Sequence, residues 1–360
     1  MKILQVNNSL YIGGAEKLLV DSIPIYKQKG IDMELLLLTG IKTPFFELLE
    51  KQGVKIYALT KGNFRKIYNP FLCFRIIPYL KKYDIIHVHL FPALYWVALA
   101  KIISHSQTKL IFTEHSTNNR RIGNKTGQIF DKFIYNQYSS IVSITKEIDS
   151  IIKTHLALSS KKFKIINNGI DLTKFTESLR NNEMDKSKIT IIQISSFQEP
   201  KDQPTLIRAM KYLPKNVFLL LVGDGETRSE CEQLVKDLNL LQRVAFLGVS
   251  TDVPRFLKSS DIAVLSSHFE GLSLSCIEAM ASGKPLVASD VPGLSEMVAG
   301  AGLLFPPGNE KALAEQINML IANPDLYKKV SQACFERSKQ YDINAMVDKY
   351  IELYKEVINN

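Results

Sequence analysis

Short apolar runs alternate with longer amphipathic stretches along most of the chain. The runs are apolar at nearly every position, which is typical of parallel strands buried on both faces, and the stretches between them have helical spacing. The predicted strands are Lys2–Val6, Met33–Leu38, Val54–Leu59, Ile85–Val88, Leu110–Thr113, Ile141–Ile144 and Lys164–Ile166, then Ile189–Ile194, Phe218–Val222, Val244–Leu247, Ile262–Leu265, Leu286–Ala288 and Leu303–Phe305. This rhythm predicts strand–helix–strand units throughout.

A polar stretch of mixed charge, Thr173–Lys188, interrupts the rhythm once. We therefore predict an α/β protein of two Rossmann-like, doubly wound parallel-sheet domains that face a ligand cleft with the carboxyl ends of their strands. The predicted domains are 1–172 and 185–342. A C-terminal helix follows over 343–360, and packing back on the first domain is one option for it.

Composition excludes several classes of protein. With 360 residues, 46% of them hydrophobic and 22% charged, the chain is not mainly disordered, collagen-like or coiled coil. It contains no run of about 18 uncharged apolar residues, so no membrane-spanning helix is expected. The four cysteines lack the spacing of a disulfide framework or a zinc site, which favours a reducing, cytoplasmic location.

Positive charge is concentrated in the first half of the chain. Residues 1–172 hold 24 Lys and Arg against 12 Asp and Glu, whereas residues 173–360 hold 21 against 24. The segment 61–82 alone has six cations and no carboxylate, interleaved with Phe and Tyr. This pattern indicates a helix at an anionic membrane surface, with an ordinary half-buried helix as the alternative. Arg120, Arg121 and Lys125 would extend the same basic side.

Two glycine-rich turns follow predicted strands. Gly13 and Gly14 directly precede a predicted helix, so a ligand can approach backbone amides at the positive end of that helix, which favours phosphate. A turn that only closes the strand–helix unit is the alternative. The second turn, Gly223–Gly225, carries Asp224 beside Glu226. These carboxylates would repel a phosphate, so this turn is predicted to shape the pocket.

The clearest candidate site is the loop after the predicted strand Ile262–Leu265. It places Glu270 at the strand's carboxyl end and Glu278 in the first turns of the following helix. Two carboxylates eight positions apart can do separate work: one faces a reacting centre that becomes positive, and the other accepts hydrogen bonds from a diol such as ribose. The backbone amides that open the helix belong to Gly271, Leu272, Ser273 and Leu274.

The stretch that contains these two carboxylates resembles a known signature. EGLSLSCIEAMASGKPLVASDVPGLSEMV, with Glu270 and Glu278 in a Glu-x7-Glu pattern, is similar to the signature of the retaining GT-B glycosyltransferases of family 4. Other pieces occur in that family's order: GGAEK at 13–17, HVH at 87–89, TEHS at 113–116, NNGID at 167–171, KDQPTLIRAM at 201–210, LLLVGDGE at 219–226 and LGV at 247–249. The resemblance covers most of the chain.

The resemblance implies a role for each matching residue. Glu278 would hold the ribose of a sugar nucleotide, Glu270 would lie by the transferred sugar, and Lys201 would neutralise the diphosphate. The amides of Gly271 to Leu274 would meet the diphosphate or sugar hydroxyls. Gly13, Gly14 and His115 would lie beside the diphosphate and the sugar in the first domain. Glu270, His115 and Lys201 are thereby the expected catalytic residues.

One position departs from the family pattern. The family usually supplies an Arg a few residues before the Lys, and here Ser196 occupies that place. A bidentate guanidinium clamp on the diphosphate is then absent. Either another cation reaches the diphosphate, with Arg255 and Arg120 as candidates, or Lys201 and helix amides stabilise it alone.

Histidines and carboxylates indicate no metal site. No cluster has zinc spacing and no Asp-x-Asp occurs, so a metal-independent reaction without a further cofactor is expected. His87 and His89 flank Val88, and we expect either one side chain inward and one outward, or a structural role for both. His115 follows an apolar strand and is the stronger candidate.

The sequence thus predicts an enzyme that transfers a hexosyl or N-acetylhexosaminyl group from a nucleotide-diphosphate sugar to a hydroxyl of a glycolipid or polysaccharide precursor, with retention of configuration. The expected partners are the donor, a lipid-linked glycan acceptor and the inner face of the cytoplasmic membrane, to which it would bind peripherally. A sugar-nucleotide epimerase of the same architecture and a non-catalytic sugar-nucleotide-binding relative are the alternatives. A nucleic-acid-binding protein would leave Glu270, Glu278 and Lys201 without a role, and no nucleic-acid motif is present.

Overall fold

The computed structural model describes residues 1–11, 13–115, 125–158, 162–177 and 188–359. The chain divides into two compact units. The first contains residues Met1–Gly169 together with Ile343–Asn360, and the second contains Ile170–Asp342. Arg120 and Arg121 lie outside the described residues, as does the side chain of Lys125.

The first unit is built on a parallel sheet whose described strands number seven. Their order across the sheet is β3-β2-β1-β4-β5-β6-β7, and every pairing is parallel. The strands are β1 Lys2–Asn7, β2 Asp32–Thr39, β3 Ile56–Thr60, β4 Ile85–His89, β5 Lys109–Glu114, β6 Ser140–Ser143 and β7 Phe163–Ile165. The helices of this half are α1 Gly14–Gln28, α2 Pro44–Lys51, α3 Leu72–Leu80, α4 Ala93–Ser104, α5 Lys125–Tyr135 and α6 Lys146–Leu156.

The second unit repeats the architecture with six described parallel strands in the order β10-β9-β8-β11-β12-β13. The strands are β8 Ile189–Ile194, β9 Val217–Val222, β10 Val244–Gly248, β11 Ile262–Leu265, β12 Leu286–Ser289 and β13 Leu303–Phe305. The helices are α7 Thr173–Glu177, α8 Gln203–Ala209, α9 Arg228–Asp237, α10 Val253–Ser259, α11 Leu274–Ala281, α12 Ser295–Val298, α13 Glu310–Ala322 and α14 Pro324–Ser338.

Local sequence explains where several helices begin. The hydroxyls of Thr43 and Thr145 accept hydrogen bonds from backbone N–H groups of α2 and α6. Asp202 and Asn309 do the same for α8 and α13. Such N-caps satisfy donors that the first helical turn leaves open, so each helix begins directly after its strand-end loop and holds that loop at the sheet edge.

The last helix, α15 Ile343–Asn359, returns to the first unit. Its residues Val347 and Tyr354 are buried in the same core as Ile3 of β1 and Ile23 of α1. The unit boundary lies just after Gly169, slightly before the position 172 chosen from sequence, because Ile170 pairs with Asp342 and belongs to the second core.

The predicted fold class is confirmed: each predicted strand overlaps a strand of the structure, and both sheets are parallel. The reason is burial. Most strand residues are buried, since helices cover both faces of a parallel sheet, and such strands are recognisable as continuous apolar runs.

Candidate active site

Two of the predicted site residues of the second unit are in direct contact. The ammonium of Lys201 lies 2.7 Å from both carboxylate oxygens of Glu270. The hydroxyl of Ser267 donates to the same carboxylate, at 2.7 Å. The Glu270 side chain is 8% exposed and that of Lys201 is 23% exposed. The pair is therefore a partly desolvated ion pair at the carboxyl ends of β8 and β11, where open α/β sheets bind ligands.

Buried polar groups hold the two loops of this pair together. The hydroxyl oxygen of Ser266 lies 2.9 Å from Gln193 Oε1 and 2.7 Å from the carbonyl oxygen of Asp202, and its single proton is shared between these two acceptors. The Gln193 amide in turn donates to the Lys201 carbonyl at 3.0 Å. Because Gln193 and Ser266 are almost fully buried, these bonds are costly to break. They fix the backbone of Lys201 against the loop that carries Glu270.

The predicted anion-binding amides also lie in this loop. Gly271 and Leu272 precede Ser273, whose hydroxyl accepts from the Cys276 N–H at the start of α11. Leu274 is the first residue of this helix, and Glu278 lies in its second turn with only 3% of its surface exposed. The structure thus places the Glu270 loop at the positive end of α11, where an anion is favoured.

Sequence reasoning missed Gly293, which packs against the backbone of Glu270 and Gly271 in this loop. Gly293 has φ +84°, and a Cβ built on it would lie 2.8 Å from the carbonyl carbon of Glu270 and closer still to the carbonyl oxygens of Glu270 and Gly271. Only glycine allows such an approach. The signal in the sequence was the Val291-Pro-Gly293 turn after β12, which marks a turn without revealing its neighbour.

The turn at 223–225 supports the loop that contains Ser196. A Cβ on Gly223 would lie 2.9 Å from the carbonyl carbon of Ser195, and one on Gly225 would lie 2.9 Å from the Phe197 nitrogen. The Phe197 N–H donates to the Asp224 carbonyl at 3.0 Å. Ser196 itself is exposed. Arg255, proposed from sequence as a replacement cation, pairs with Asp252 at 3.8 Å.

In the first unit, Gly13 and Gly14 open α1 as predicted, but a carboxylate already lies there. Glu16, in the first turn of α1, would be 3.4 Å from a Cβ on Gly13, measured to its carboxyl carbon. Burial raises the pKa of Glu16 to about 7, because the charged form loses its hydration. Sequence reasoning missed this residue. An anion that approaches the Gly13–Gly14 amides therefore meets Glu16 beside them.

His115 directly follows β5, as predicted. Its Nε2 lies 3.0 Å from Nδ1 of His89, and its Nδ1 has no hydrogen-bond partner among the described residues. Burial lowers the pKa of His115 to about 4. His87 and His89 are both buried, with ring centroids 4.3 Å apart. The expectation of one inward and one outward side chain is wrong, because residues two apart in a strand share a face.

Residues 12–174 match the family model described as Glycosyltransferase Family 4, and residues 174–337 match the model described as Glycosyl transferases group 1. The chain belongs to the GT-B glycosyltransferases of family 4. Together the two models account for nearly all of the described chain, and their junction lies at the start of the second unit.

Three proteins illustrate the range of similarity to this glycosyltransferase. N-acetyl-alpha-D-glucosaminyl L-malate synthase of Bacillus anthracis is 26% identical, over 89% of this chain and 94% of its own. N,N'-diacetylbacillosaminyl-diphospho-undecaprenol alpha-1,3-N-acetylgalactosaminyltransferase of Campylobacter jejuni is 31% identical over 57% of each chain. HepE of Anabaena, solved in complex with UDP-glucose, superposes with a TM-score of 0.86 at 24% identity, over 99% of this chain and 100% of its own.

The segment 61–82 of the glycosyltransferase presents aromatic side chains to solvent. Phe64, Tyr68 and Phe74 are exposed, and Phe71 is 70% exposed. Ring contacts connect Tyr68 to the exposed Phe91 and, through the buried Tyr95, to the exposed Phe130. We name residues 61–82 with Phe91, Ile129, Phe130 and Phe133 the basic aromatic surface. The helices in the described part of the enzyme include none with the length and hydropathy needed to cross a bilayer.

Proposed function

We propose that this glycosyltransferase moves a hexosyl or N-acetylhexosaminyl group from a nucleotide-diphosphate sugar to a hydroxyl of a lipid-linked glycan, with retention of configuration. The observation that carries the proposal is the Lys201–Glu270 pair beside the N-terminus of α11. It sets one cation, one carboxylate and a row of amides at the strand ends where a donor's diphosphate and sugar are expected.

In this proposal the diphosphate is stabilised by the ammonium of Lys201 and by the amides from Gly271 to Leu274. Glu278 accepts hydrogen bonds from the ribose. Negative charge grows on the diphosphate as the glycosidic bond breaks, so a fixed cation there lowers the barrier more than it tightens donor binding. We propose that this cation takes the place of a divalent metal and that transfer continues in the presence of a chelator.

The state of Glu270 supports transfer on one face of the sugar. Both of its oxygens are bonded to Lys201, and one also accepts from Ser267, which makes the carboxylate a poor nucleophile. In the proposed step the bond from the anomeric carbon to the diphosphate breaks, and the acceptor oxygen bonds to the same face. The acceptor proton passes to the leaving phosphate oxygen. Glu270 stabilises the positive charge on the sugar.

Replacing Lys201 tests this site. We expect Lys201→Ala to lower kcat by about a hundredfold or more, as loss of one transition-state donor does, with a smaller loss of donor affinity. Lys215→Ala, which removes an exposed lysine of the same unit, should retain full activity. The donor is first chosen by thermal shift with a panel of UDP, GDP, ADP and CMP sugars, because a bound ligand raises the melting temperature.

Product analysis separates the alternatives. Transfer to a polyprenyl-diphosphate-linked saccharide, with the product's anomeric configuration matching that of the donor by NMR, would support the proposal. Conversion of the donor without any acceptor would instead indicate an epimerase. Near-normal turnover of Lys201→Ala would contradict the assigned role of this lysine. A Ser196→Arg variant tests the missing clamp, and tighter donor binding is the expected result.

We propose further that the basic aromatic surface docks on anionic lipid at the inner face of the cytoplasmic membrane. Exposed rings at the level of the headgroups and cations beside them are the chemistry that binds such a surface. A lipid-linked acceptor would then be reached at the membrane, in line with the undecaprenol-linked substrate named for the Campylobacter relative.

A charge-matched pair of variants tests the docking. Replacing Arg65, Lys66, Lys81 and Lys82 by Ser should reduce co-sedimentation with phosphatidylglycerol vesicles, and added salt should weaken binding of the wild type. The control replaces the exposed Lys211, Lys215, Lys328 and Lys329 of the second unit by Ser and removes the same charge. Equal losses in both variants, or equal binding to neutral vesicles, would refute specific docking through this surface.

A further inference from the structure

A continuous hydrogen-bond network connects His115 to the C-terminal helix. His115 Nε2 contacts His89 Nδ1 at 3.0 Å, and His89 Nε2 contacts Gln5 Oε1 at 2.7 Å. The Gln5 amide nitrogen lies 3.2 Å from the Tyr354 hydroxyl of α15. These side chains belong to the first unit, and all except His115 are almost fully buried. The network runs from the end of β5 through the sheet to α15.

The orientation of the Gln5 amide sets the direction of the network. Its Nε2 lies 3.5 Å from the sulfur of Met33. A thioether sulfur can only accept a hydrogen bond, so the amide must turn its N–H group towards Met33 and Tyr354. The opposite end of the amide, which faces His89, is therefore the oxygen. An oxygen at 2.7 Å requires a proton on His89 Nε2.

The remaining protons follow from the neutrality of the histidines. Burial lowers the pKa of His115 to about 4 and holds the pKa of His89 well below its ordinary value, so both rings are neutral near pH 7. His89 with its proton on Nε2 has only a lone pair on Nδ1. His115 must then donate to it from Nε2, which leaves the buried His115 Nδ1 as an acceptor.

We propose that His89 is a positioning residue that holds His115 in the Nε2–H tautomer, so that His115 Nδ1 accepts a hydrogen bond from a hydroxyl of the bound sugar. This inference deepens the proposed function and rests on it for the identity of the ligand. The Nδ1 atom then selects a hydroxyl, which donates, over a phosphate or carboxylate oxygen, which cannot.

A second branch of the network connects a third histidine, His87, to α15. The Tyr354 hydroxyl accepts from Gln5 and lies 2.7 Å from His87 Nδ1, to which it donates. His87 Nε2 then donates to the Thr113 hydroxyl at 2.7 Å, which contacts Tyr350 at 3.0 Å. Two tyrosines of α15 thus fix the proton positions of His87. Because the His87 ring lies 4.3 Å from that of His89, α15 supports the network that ends at His115.

The tautomer can be observed directly. In long-range ¹H–¹⁵N spectra of protein labelled with ¹⁵N-histidine, the cross-peak pattern of a histidine depends on its tautomer. The chain has six histidines, and the His115 signal is assigned by its loss in His115→Gln. We expect wild-type His115 as the neutral Nε2–H tautomer at pH 7. An Nδ1–H tautomer in the wild type would overturn the proposal, whatever the enzyme transfers.

Variants of His89 separate positioning from packing. His89→Phe keeps an aromatic ring at this position and removes the Nδ1 acceptor. His115 should then show mixed tautomers, and the variant enzyme should have a raised KM for the donor. His89→Asn returns an amide oxygen near the place of Nδ1 and should restore the single tautomer. His155→Phe removes another buried histidine of this unit, bonded to Asp131 outside the network, and should leave the His115 signal unchanged. A fixed tautomer in His89→Phe would contradict the role of His89.

The hydrogen bond from a sugar hydroxyl to His115 Nδ1 is tested with deoxy and deoxyfluoro analogues of the donor. The donor itself is the one selected by thermal shift. Fluorine can accept a hydrogen bond but cannot donate one. At the ring position whose hydroxyl donates to His115 Nδ1, the fluoro and the deoxy analogue should therefore bind the wild type equally weakly, about tenfold more weakly than the hydroxyl compound. That loss should vanish in His115→Phe. If the fluoro analogue bound as well as the hydroxyl compound at every position, the acceptor role of Nδ1 would be refuted while donor use itself remained demonstrated.

Discussion

Gly293 gives the sharpest test of how the Glu270 loop is held. In Gly293→Ala, the new Cβ would lie 2.8 Å from the carbonyl carbon of Glu270. Carbon atoms in contact prefer about 3.5–4.0 Å, so the loop has to move by about 0.7–1.2 Å. The atoms in the way are backbone and cannot rotate aside. The movement reaches Glu270, whose carboxylate is held at 2.7 Å by Lys201.

The structure also supplies the control. Gly283, just after α11, has φ +70° compared with +84° for Gly293, and nothing lies within 4 Å of a Cβ built on it. Gly283→Ala therefore introduces the left-handed backbone strain alone, about 1 kcal/mol. Gly293→Ala adds the displacement of the loop, and a misplacement of about 1 Å at a reacting centre costs on the order of a hundredfold in rate.

The assay compares kcat, KM and urea unfolding followed by circular dichroism for the two variants. We expect Gly283→Ala to lose about 1 kcal/mol of stability with near-normal kcat, and Gly293→Ala to lose about a hundredfold in kcat at a comparable or larger loss of stability. Equal activities of the two folded variants would refute the reasoning, because they would show that the Glu270 loop does not depend on the space beside Gly293.

Two further predictions concern single carboxylates. Glu278→Gln should weaken both the donor and its free nucleoside diphosphate by about 1.5–3 kcal/mol in calorimetry, since the ribose is common to both; unchanged nucleotide affinity would remove Glu278 from the ribose site. Glu16 has its pKa raised by burial to about 7, so the folded state binds a proton that the unfolded state releases near pH 4.3. The contribution of Glu16 to stability should therefore be lost as pH rises from about 4.5 to about 7. In urea titrations, the unfolding free energy of the wild type minus that of Glu16→Gln should fall across this range.

Most of the fold could be predicted from sequence because it depends on local patterns. Parallel strands such as β2 and β11 are apolar at consecutive positions, and glycines or polar residues follow at the strand ends. The Glu270 loop could be predicted from sequence for a related reason. Glu270 lies at a strand end and Glu278 in the next helix. Their separation of eight positions along the chain therefore predicts that the two carboxylates lie in different places and have different roles.

Other parts of the site depend on contacts between residues that are far apart in the chain, which local sequence patterns do not predict. Gly293 is recognisable as a turn residue, but its contact with Glu270 arises only when β11 and β12 pair. The roles of Gln5 and Met33 depend on neighbouring strands β1 and β2 and on a helix that lies more than 300 residues away in the chain. The ion pair between Lys201 and Glu270 could not be predicted from sequence either, because the two residues are far apart in the chain and the sequence assigned Lys201 only to the diphosphate.

The return of α15 to the first unit has a consequence for biosynthesis. Val347 and Tyr354 fill the first core, yet they leave the ribosome only after the whole of 170–342 has been made. At roughly 5–20 residues per second this delay is on the order of ten to thirty seconds. During that interval the nascent first unit lacks α15 and exposes the apolar side chains that α15 covers in the folded protein. The N-terminal half is thus translated first and completed last, which makes it the half with the greater need of chaperones.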